Sequence, residues 1–321
     1  KKQSKKLNIK IFNDFNNLNK IFKKKINYTL SAITGIEGLV PTLNLIKYSE
    51  IISIANKESI VCAWNLINKE IVKNKTEFIP LDSEHFSLWF SIQGQKIQNV
   101  KEFFLTASGG PFYNFTLNKL RKAKISDAIN HPNWKMGKKI SIDSATMINK
   151  VYEVIEAKNI FNISYKKIKI LVHPKSYIHA IVKFNNGLIK LIAHDTTMKI
   201  PIFNSINTNN NLTFKTKDVK IDILNNLEFS SVNLKKYPMV KILKLLPDKP
   251  SLYETVIVSA NDTLVSLFLD KKITLLDIHK NLFKIIKLNE FLKYKKISPK
   301  NVKDIIKLNQ YVRLKCIRMS I

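Results

Sequence analysis

Short apolar runs alternate with amphipathic stretches over the first half of the chain. Between the first two runs, Ile60, Val61, Trp64 and Ile67 recur at helical spacing. Strands that alternate with helices predict a parallel α/β sheet, whose functional groups collect at the carboxyl ends of the strands. The apolar runs with the length of buried strands are 51–55, 78–81, 103–107 and 168–172.

The second half of the chain changes from strand-like to helical patterns. Segments 178–184 and 188–193 flank residues 185–187, Asn-Asn-Gly, which predicts a β-hairpin because Asn and Gly tolerate positive φ. Residues 205–235 are rich in Asn, Thr and Lys and are predicted to form a linker. Helical periodicity begins at Tyr237 and predicts a small helical domain. Its main helices are expected at 256–269, at 273–286 and from Val302.

The composition describes a globular, lysine-rich chain. Its 321 residues are 45% hydrophobic, which suits two or three domains with a real core. The net charge is +30, but the basic residues are nearly all Lys, and the arginines are Arg121, Arg313 and Arg318. Bidentate recognition of phosphates and bases favours Arg, so we expect no specific nucleic-acid partner. Cys62 and Cys316 fit no redox or metal spacing, which favours a cytoplasmic compartment, and no apolar run is long enough to span a membrane.

Two carboxylates follow the apolar run at 78–81. On an extended chain, Asp82 and Glu84 would point to the same face. Close carboxylates repel each other unless a cation lies between them, and hard divalent ions such as Mg²⁺ or Mn²⁺ prefer oxygen ligands. The pair therefore predicts a metal site. The alternative is a solvated acidic turn.

The segment from Asp143 to Glu153 is predicted to hold a helix with a polar site. Asn149 and Glu153 are four residues apart and share a helix face, with Lys150 beside them. Ser144 and Thr146 precede that helix and resemble caps. A helix start with hydroxyls and a Lys suits a phosphate, and Glu153 could add a third carboxylate to the metal site. The alternative is an ordinary amphipathic helix, with Met147, Val151, Val154 and Ile155 as its apolar face.

Two loops complete the candidate chemistry. Ser108-Gly109-Gly110-Pro111 follows the run at 103–107, and its glycines would let backbone N–H groups approach an anion, although a plain tight turn is equally consistent with it. Residues 131–137, His-Pro-Asn-Trp-Lys-Met-Gly, should be non-helical. An aromatic loop of this kind suits a lid over a site, or else its Trp fills a core.

Taken in order, these motifs resemble the 1-deoxy-D-xylulose 5-phosphate reductoisomerase family from about Ala32 onwards. The stretches that carry the resemblance are Ala55-Asn56-Lys57-Glu58-Ser59, Pro80 to His85, Ser108 to Phe112, and His131 to Glu156. The resemblance implies an NADPH- and metal-dependent enzyme that isomerises and reduces 1-deoxy-D-xylulose 5-phosphate to 2-C-methyl-D-erythritol 4-phosphate. It also implies a homodimer.

The resemblance assigns roles residue by residue. The metal ligands would be Asp82, Glu84 and Glu153, which with Lys57 form the catalytic set. The residues that would bind substrate are Lys57, Ser83, Glu84, Ser108, His131, Trp134, Ser144, Asn149, Lys150 and Glu153. The residues that would contact NADPH are Asn56, Glu58, Met136 and Gly137.

The implied fold class is α/β, in three domains. A partial Rossmann-like NADPH-binding domain (1–85) precedes an α+β catalytic domain with a mixed sheet (86–207), a linker (208–239) and a C-terminal helical bundle (240–321). The family's Gly-x-Thr-Gly-Ser-x-Gly turn is absent, so we expect the sequence to begin inside the cofactor domain.

The sequence also departs from the family pattern at Val151, at Thr196-Thr197 and at Asn261-Asp262. None of these positions is a predicted metal ligand. Two alternatives to the enzyme stay open. One is a truncated pseudoenzyme that binds metal and sugar phosphate without turnover, and the other is a Lys-rich polyanion-binding protein.

Overall fold

The chain folds into two β-sheets and a C-terminal helical region. The computed structural model describes residues 9–12, 15, 17–208, 212–216, 218 and 221–320. The fold is therefore an α/β arrangement followed by helices, as the sequence predicts.

The first sheet is parallel and three-stranded. Its strands are β1 (Ile26–Ser31), β2 (Ser49–Ile54) and β3 (Glu77–Pro80), in the order β1-β2-β3. Helices α2 (Leu39–Ile46) and α3 (Lys57–Asn74) provide the crossovers, and a short helix α1 spans Leu18–Ile21. The parallel pairing confirms the predicted α/β sheet and sends the carboxyl ends of β2 and β3 to the same edge.

The second sheet is mixed and five-stranded. Its strands are β4 (Val100–Ala107), β5 (Ile168–Val172), β6 (Ile178–Phe184), β7 (Ile189–Ala193) and β8 (Ser230–Ser231), in the order β7-β6-β4-β5-β8. Strand β4 pairs parallel with β5, while the β4–β6, β6–β7 and β5–β8 pairs are antiparallel. The β6–β7 hairpin is confirmed, and Gly187 adopts φ +89° in its turn.

Several helices lie between β3 and β8 along the chain, and those at 83–91 and 148–161 pack against the second sheet. The helices between β3 and β8 are α4 (Ser83–Ser91), α5 (Leu117–Arg121), α6 (Ile125–Ile129), α7 (Lys138–Ala145), α8 (Ile148–Phe161), α9 (Lys199–Ile206) and α10 (Ile221–Asn225). Short 3-10 helices span Ile36–Gly38, Ile97–Asn99, Tyr165–Lys167, Pro238–Leu245 and Lys293–Lys296.

Helix α8 is buried between two hydrophobic cores. Val151 and Ile155 belong to the core shared with α3 and the C-terminal helices, whereas Val154 and Ala157 belong to the core beneath the mixed sheet. Val151 is fully buried, so this departure from the family pattern is accommodated by packing. Burial on both sides fixes the helix and therefore the polar side chains that it presents.

The C-terminal region is helical, as predicted. Its helices are α11 (Tyr253–Leu269), α12 (Leu275–Ile286), α13 (Asn289–Leu292) and α14 (Val302–Ser320). Thr274 caps α12 by accepting a hydrogen bond from the backbone N–H of Asp277. None of the helices in the described part of the chain is both long enough and apolar enough to cross a bilayer.

Candidate active site

The carboxyl ends of β2 and β3 each lead into a helix whose first residues are polar. After β2, Asn56 caps α3 by accepting a 2.7 Å hydrogen bond from Ser59 N–H, which places Lys57 at the start of the helix. After β3, Asp82 caps α4 by accepting hydrogen bonds from the backbone N–H groups of Glu84 and His85. Both turns present charged side chains at one edge of the sheet.

Asp82 and Glu84 are close for a different reason than the sequence suggested. The extended geometry that we expected is wrong, because the strand ends at Pro80 and Glu84 lies in the first turn of α4. A helix start places the cap residue and the residue two positions later near each other through the capping bond itself.

Glu153 on α8 completes a cluster of three carboxylates with Asp82 and Glu84. Each offers an oxygen, and these oxygens all lie within 4.8 Å of one another. Burial, followed by the nearby Glu84, raises the pKa of Glu153 to about 6. Crowded negative charge on oxygen ligands is what a hard divalent cation relieves, so the residues present fit such an ion.

Two lysines currently balance these carboxylates. The Lys57 ammonium contacts Asp82 and lies 3.3 Å from Glu153 Oε1, while Lys150 Nζ lies 2.8 Å from Glu84 Oε1 and also contacts Glu153. Burial alone would lower the pKa of both lysines, but the carboxylates raise it above its usual value. Both side chains therefore stay protonated and act as hydrogen-bond donors.

His85 and Glu156 extend this network and were not assigned roles from the sequence. His85 Nε2 lies 2.8 Å from the carbonyl of Glu153 and donates to it, while Nδ1 lies 3.0 Å from Asp82 Oδ1. Burial alone would lower the pKa of His85, but Glu156 and Asp82 raise it to about 9. The signal for Glu156 was its position three residues after Glu153, on the same face of α8.

Glu156 is a buried carboxyl behind the cluster. Its Oε2 lies 3.8 Å from both Lys57 Nζ and His85 Nδ1. Burial raises its pKa to about 7, although Lys57 and His85 act against that rise. It supports the charged residues without belonging to the three-carboxylate cluster.

The Ser108-Gly109-Gly110 turn lies at the end of β4. Gly109 and Gly110 adopt φ +81° and +64°. A Cβ on Gly110 would lie 2.8 Å from the carbonyl oxygen of Ser144, so glycine is required for this close approach to α7. Ser108 Oγ accepts a 2.9 Å hydrogen bond from Gly110 N–H and lies 2.9 Å from His131 Nε2.

The 131–137 loop is non-helical, as predicted, and its first residue, His131, lies beside this turn. His131 Nδ1 accepts hydrogen bonds from the backbone N–H groups of Asn133 and Trp134, and burial lowers the pKa of His131 to about 4. The neutral ring therefore carries its proton on Nε2 and donates to Ser108. Trp134 is half-buried beside the site and packs edge-on against His179, with ring centroids 5.9 Å apart.

His179 and Met198 line the cavity at this site, and the sequence analysis assigned a role to neither. The His179 ring stacks on His194 with centroids 3.7 Å apart, and its Nε2 donates to the His194 carbonyl. Burial lowers the pKa of His179 to about 4, so the ring is neutral. The available signal was a His within the apolar strand β6. Met198, the residue before α9, lines the site cavity together with His179.

Helix α8 only partly matches its prediction. Asn149 Nδ2 donates a 2.5 Å hydrogen bond to Glu153 Oε1, which confirms the shared face. The capping prediction is wrong: Ser144 belongs to α7, and Thr146 donates to carbonyls of that helix. The residue before α8 is Met147, at φ 63°. In this structure Asn149 and Lys150 face the carboxylates.

One cavity brings together most of the predicted site. The predicted residues that line it are Lys57, Asp82, Ser83, Glu84, Ser108, His131, Trp134, Met136, Ser144, Asn149, Lys150 and Glu153. Asn56, Glu58 and Gly137 lie outside it and line an adjoining cavity, which shares Lys57, Ile140 and Asn149 with the first. The predicted cofactor residues other than Met136 thus line a second space next to the predicted substrate residues.

Three family models match successive parts of the chain. The model for 1-deoxy-D-xylulose 5-phosphate reductoisomerase matches residues 1–64, its C-terminal domain model matches residues 78–161, and the DXP reductoisomerase C-terminal domain model matches residues 195–315.

Relatives of the same name cover most of the chain. The reductoisomerase of Pelagibacter ubique is 54% identical over 315 residues, which are 98% of this chain and 81% of the relative. That of Clostridium kluyveri is 37% identical over 279 residues, or 86% of this chain and 72% of the relative.

Solved structures agree with this result. The Zymomonas mobilis reductoisomerase in complex with NADPH superposes with a TM-score of 0.80 at 31% identity, covering 91% of this chain and 75% of that one. A DOX-P reductoisomerase in complex with NADPH, fosmidomycin and magnesium gives 0.85 at 28% identity, covering 92% and 76%. The chain belongs to the 1-deoxy-D-xylulose 5-phosphate reductoisomerase family.

Proposed function

We propose that this chain catalyses the NADPH-dependent isomerisation and reduction of 1-deoxy-D-xylulose 5-phosphate to 2-C-methyl-D-erythritol 4-phosphate. The observation that carries the proposal is the convergence of Asp82, Glu84 and Glu153 beside the Ser108–Gly110 turn, in a chain of this family. One related reductoisomerase is known in complex with NADPH and another with NADPH, fosmidomycin and magnesium, which supports NADPH and a divalent metal as the cofactors here.

Asp82, Glu84 and Glu153 would hold the divalent ion, Mg²⁺ or Mn²⁺, since both accept the same oxygen ligands. When bound, such an ion polarises a carbonyl oxygen and an adjacent hydroxyl oxygen and keeps them together. Lys150 now pairs with two of these carboxylates, so ion binding would compete with the ammonium for the same oxygens.

The substrate would span the cavity from the carboxylates to the glycine turn. At the carboxylate end, Lys57 and Ser83 would donate hydrogen bonds to the substrate's reacting oxygens. Glu84 would contact the same end of the substrate as well as the metal ion. The Lys57 ammonium contacts Asp82 and lies 3.3 Å from Glu153 Oε1, so it is placed to donate hydrogen bonds at this end of the cavity.

The phosphate would lie on the Ser108 side of the cavity, against Ser108 and Ser144. Asn149 and Lys150, which contact the carboxylates in this structure, would turn to it from α8. Binding energy at this remote group would orient the reacting carbons without taking part in the bond changes. The loop residues His131, Trp134 and Met136 border the same space, and closing over it would exclude water.

The nicotinamide cofactor would occupy the adjoining cavity, against Asn56, Glu58 and Gly137, and Met136 would contact it from the first cavity. When bound, the cofactor would supply the hydride for the reduction of the rearranged aldehyde. The shared Lys57 and Asn149 place the two cavities next to each other, as transfer between cofactor and substrate requires.

The test measures consumption of NADPH with 1-deoxy-D-xylulose 5-phosphate, with and without Mg²⁺ or Mn²⁺. Turnover should require the metal, and Glu153→Gln should lose at least about a hundredfold in kcat/KM because a ligand and its charge are removed. Binding of Mn²⁺, followed by electron paramagnetic resonance, should weaken in the same variant.

Glu156→Gln is the matched control for this test, because it removes a buried carboxyl one turn along the same helix that is outside the three-carboxylate cluster. It should keep its Mn²⁺ affinity. Metal-independent turnover, or undiminished activity in Glu153→Gln, would refute the proposed function. Metal and fosmidomycin binding without turnover would support the pseudoenzyme instead.

We also propose a cytoplasmic homodimer. Both cysteines are free and buried, which is consistent with a reducing compartment. The edge strand β7 exposes Ile189 and Leu191, at 54% and 45%, and Leu188 next to it, which is the kind of apolar edge that a second copy would cover. Light scattering should give twice the chain mass, and Leu191→Glu should shift it towards the monomer.

A further inference from the structure

Tyr237 lies directly behind the Ser108–Gly110 turn, outside the residues assigned to substrate or cofactor. Its side chain is 3% exposed and packs in a small apolar cluster with Ala107 and Val172. The Tyr237 hydroxyl donates a 2.7 Å hydrogen bond to the carbonyl oxygen of Gly109. Burial raises the pKa of this phenol, so the hydroxyl remains a donor.

This hydrogen bond fixes one particular peptide unit. The carbonyl of Gly109 and the N–H of Gly110 belong to the same planar group, and the N–H end donates to Ser108 Oγ at 2.9 Å. Both flanking residues are glycines at positive φ, so no Cβ restricts rotation of this peptide. The two glycines have no side chains that could restrain this peptide. The hydrogen bond from the Tyr237 hydroxyl restrains it instead, and thereby keeps the Gly110 N–H directed at Ser108 Oγ.

The orientation of this peptide determines which way the Ser108 hydroxyl points. Ser108 Oγ is approached by two donors, Gly110 N–H and the protonated Nε2 of His131, each at 2.9 Å. A hydroxyl has two acceptor lone pairs and one hydrogen. With both lone pairs engaged, its hydrogen is left to donate into the cavity, towards an anionic oxygen. If the peptide rotated, one lone pair would be freed and the hydroxyl could turn away.

We propose that Tyr237 is a positioning residue for the substrate's phosphate: by holding the Gly109–Gly110 peptide it keeps the Ser108 hydroxyl oriented as a donor to a phosphate monoester. The inference rests on the proposed function, in which Ser108 binds that phosphate. Tyr237 itself does not line the substrate cavity and acts only through the turn.

The test compares two tyrosines that lose the same group. Tyr237→Phe removes the hydroxyl behind the turn, while Tyr253→Phe removes a buried hydroxyl that donates at 2.9 Å to the Ile286 carbonyl in the helical region. Inorganic phosphate is the probe, titrated into the full chain and followed by phosphorus NMR, with Mn²⁺ affinity measured in parallel. We expect Tyr237→Phe to bind phosphate roughly fivefold to tenfold more weakly, and Tyr253→Phe to bind it as the wild type does.

A double-mutant cycle separates positioning from general loosening. In a Ser108→Ala background, Tyr237→Phe should produce no further loss of phosphate affinity, because the group that it orients is absent. Mn²⁺ affinity should be unchanged in every variant. In turnover, Tyr237→Phe should raise KM for the substrate and leave kcat within about twofold.

The outcomes distinguish a positioning role of Tyr237 from a general structural effect and from the absence of a phosphate site. Equal phosphate affinity in Tyr237→Phe and wild type would overturn the role of Tyr237 while leaving the phosphate site intact. Equal losses in both Phe variants, or a full loss that persists in the Ser108→Ala background, would show a structural effect and also overturn it. A wild-type chain that binds Mn²⁺ but no phosphate would refute the phosphate site in the proposed function, and this inference with it.

Discussion

Replacing Lys139 with Met should destabilise the chain, and the loss should grow with pH. Lys139 Nζ lies 2.7 Å from Glu58 Oε1 and 3.0 Å from both Asp143 Oδ2 and Asp262 Oδ1. These carboxylates come from α3, α7 and α11. One ammonium therefore links the crossover helix α3 of the first sheet, helix α7 and the C-terminal helical region. The Met side chain keeps the apolar stem and removes the charge.

The size of the effect follows from burial. The carboxylate side chains are 4–15% exposed, and removing the partner of a buried charge costs about 3–5 kcal/mol. Lys139 itself is 36% exposed, so solvent screens part of the interaction and we expect about 2 kcal/mol. For a chain of this length that corresponds to a fall of roughly 3 °C in Tm.

The pH dependence comes from Asp262. Burial raises its pKa to about 7 even though Lys139 acts against that rise, so removing Lys139 should raise the pKa further. A carboxyl whose pKa is higher in the folded than in the unfolded state contributes stability below its unfolded pKa, and loses it as pH rises through the folded pKa. The Asp262 share of the loss should therefore appear only as pH rises through about 7, whereas the share from Glu58, whose pKa Lys139 lowers against the effect of burial, is already present near about pH 5. We expect the fall in Tm to be smaller near about pH 5 than above about pH 7.

Thermal unfolding followed by circular dichroism across this pH range is the assay. Lys138→Met is the matched control, since it is the same change at the neighbouring exposed position and should leave Tm unchanged. Adding Asp262→Asn to Lys139→Met should recover part of the loss at high pH. A loss in Lys139→Met that does not vary with pH, or that Lys138→Met shares, would refute the electrostatic reasoning.

Three further predictions concern the turn and the buried carboxyls. Ser108→Ala should weaken phosphate binding about tenfold and leave Mn²⁺ affinity unchanged, as titrations of each ligand would show. Gly110→Ala should cost about 1–3 kcal/mol, measured by denaturant unfolding, because its φ is +64° and its Cβ would meet Ser144. Burial raises the pKa of Glu254 to about 7, so wild-type stability should fall as pH rises from about 4.5 to about 7, and Glu254→Gln should flatten that part of the pH–Tm curve.

Local patterns in the sequence predicted the elements of this fold well. Strand β2 follows from an apolar run, the β6–β7 hairpin from Asn-Asn-Gly, and α12 from helical spacing, because each signal is contained within a few neighbouring residues. The same locality explains the errors. Asp82 and Glu84 do lie close together, but not in the extended conformation that was predicted, since a period of two cannot reveal that Asp82 is already a helix cap.

The residues that were missed are those whose role depends on distant parts of the chain. Glu156 contacts Lys57 and His85 only because α8 packs behind the carboxylates. His179 contacts Trp134 only because the loop that bears Trp134 packs against β6. Tyr237 is the extreme case, because its partner Gly109 lies 128 residues earlier and its own neighbourhood reads as the end of a linker. A flexible glycine peptide cannot be restrained by side chains of its own, so the restraint has to come from another part of the fold. The motif residues therefore identify the chemistry of the site, while the residues that hold it in place become visible only in three dimensions.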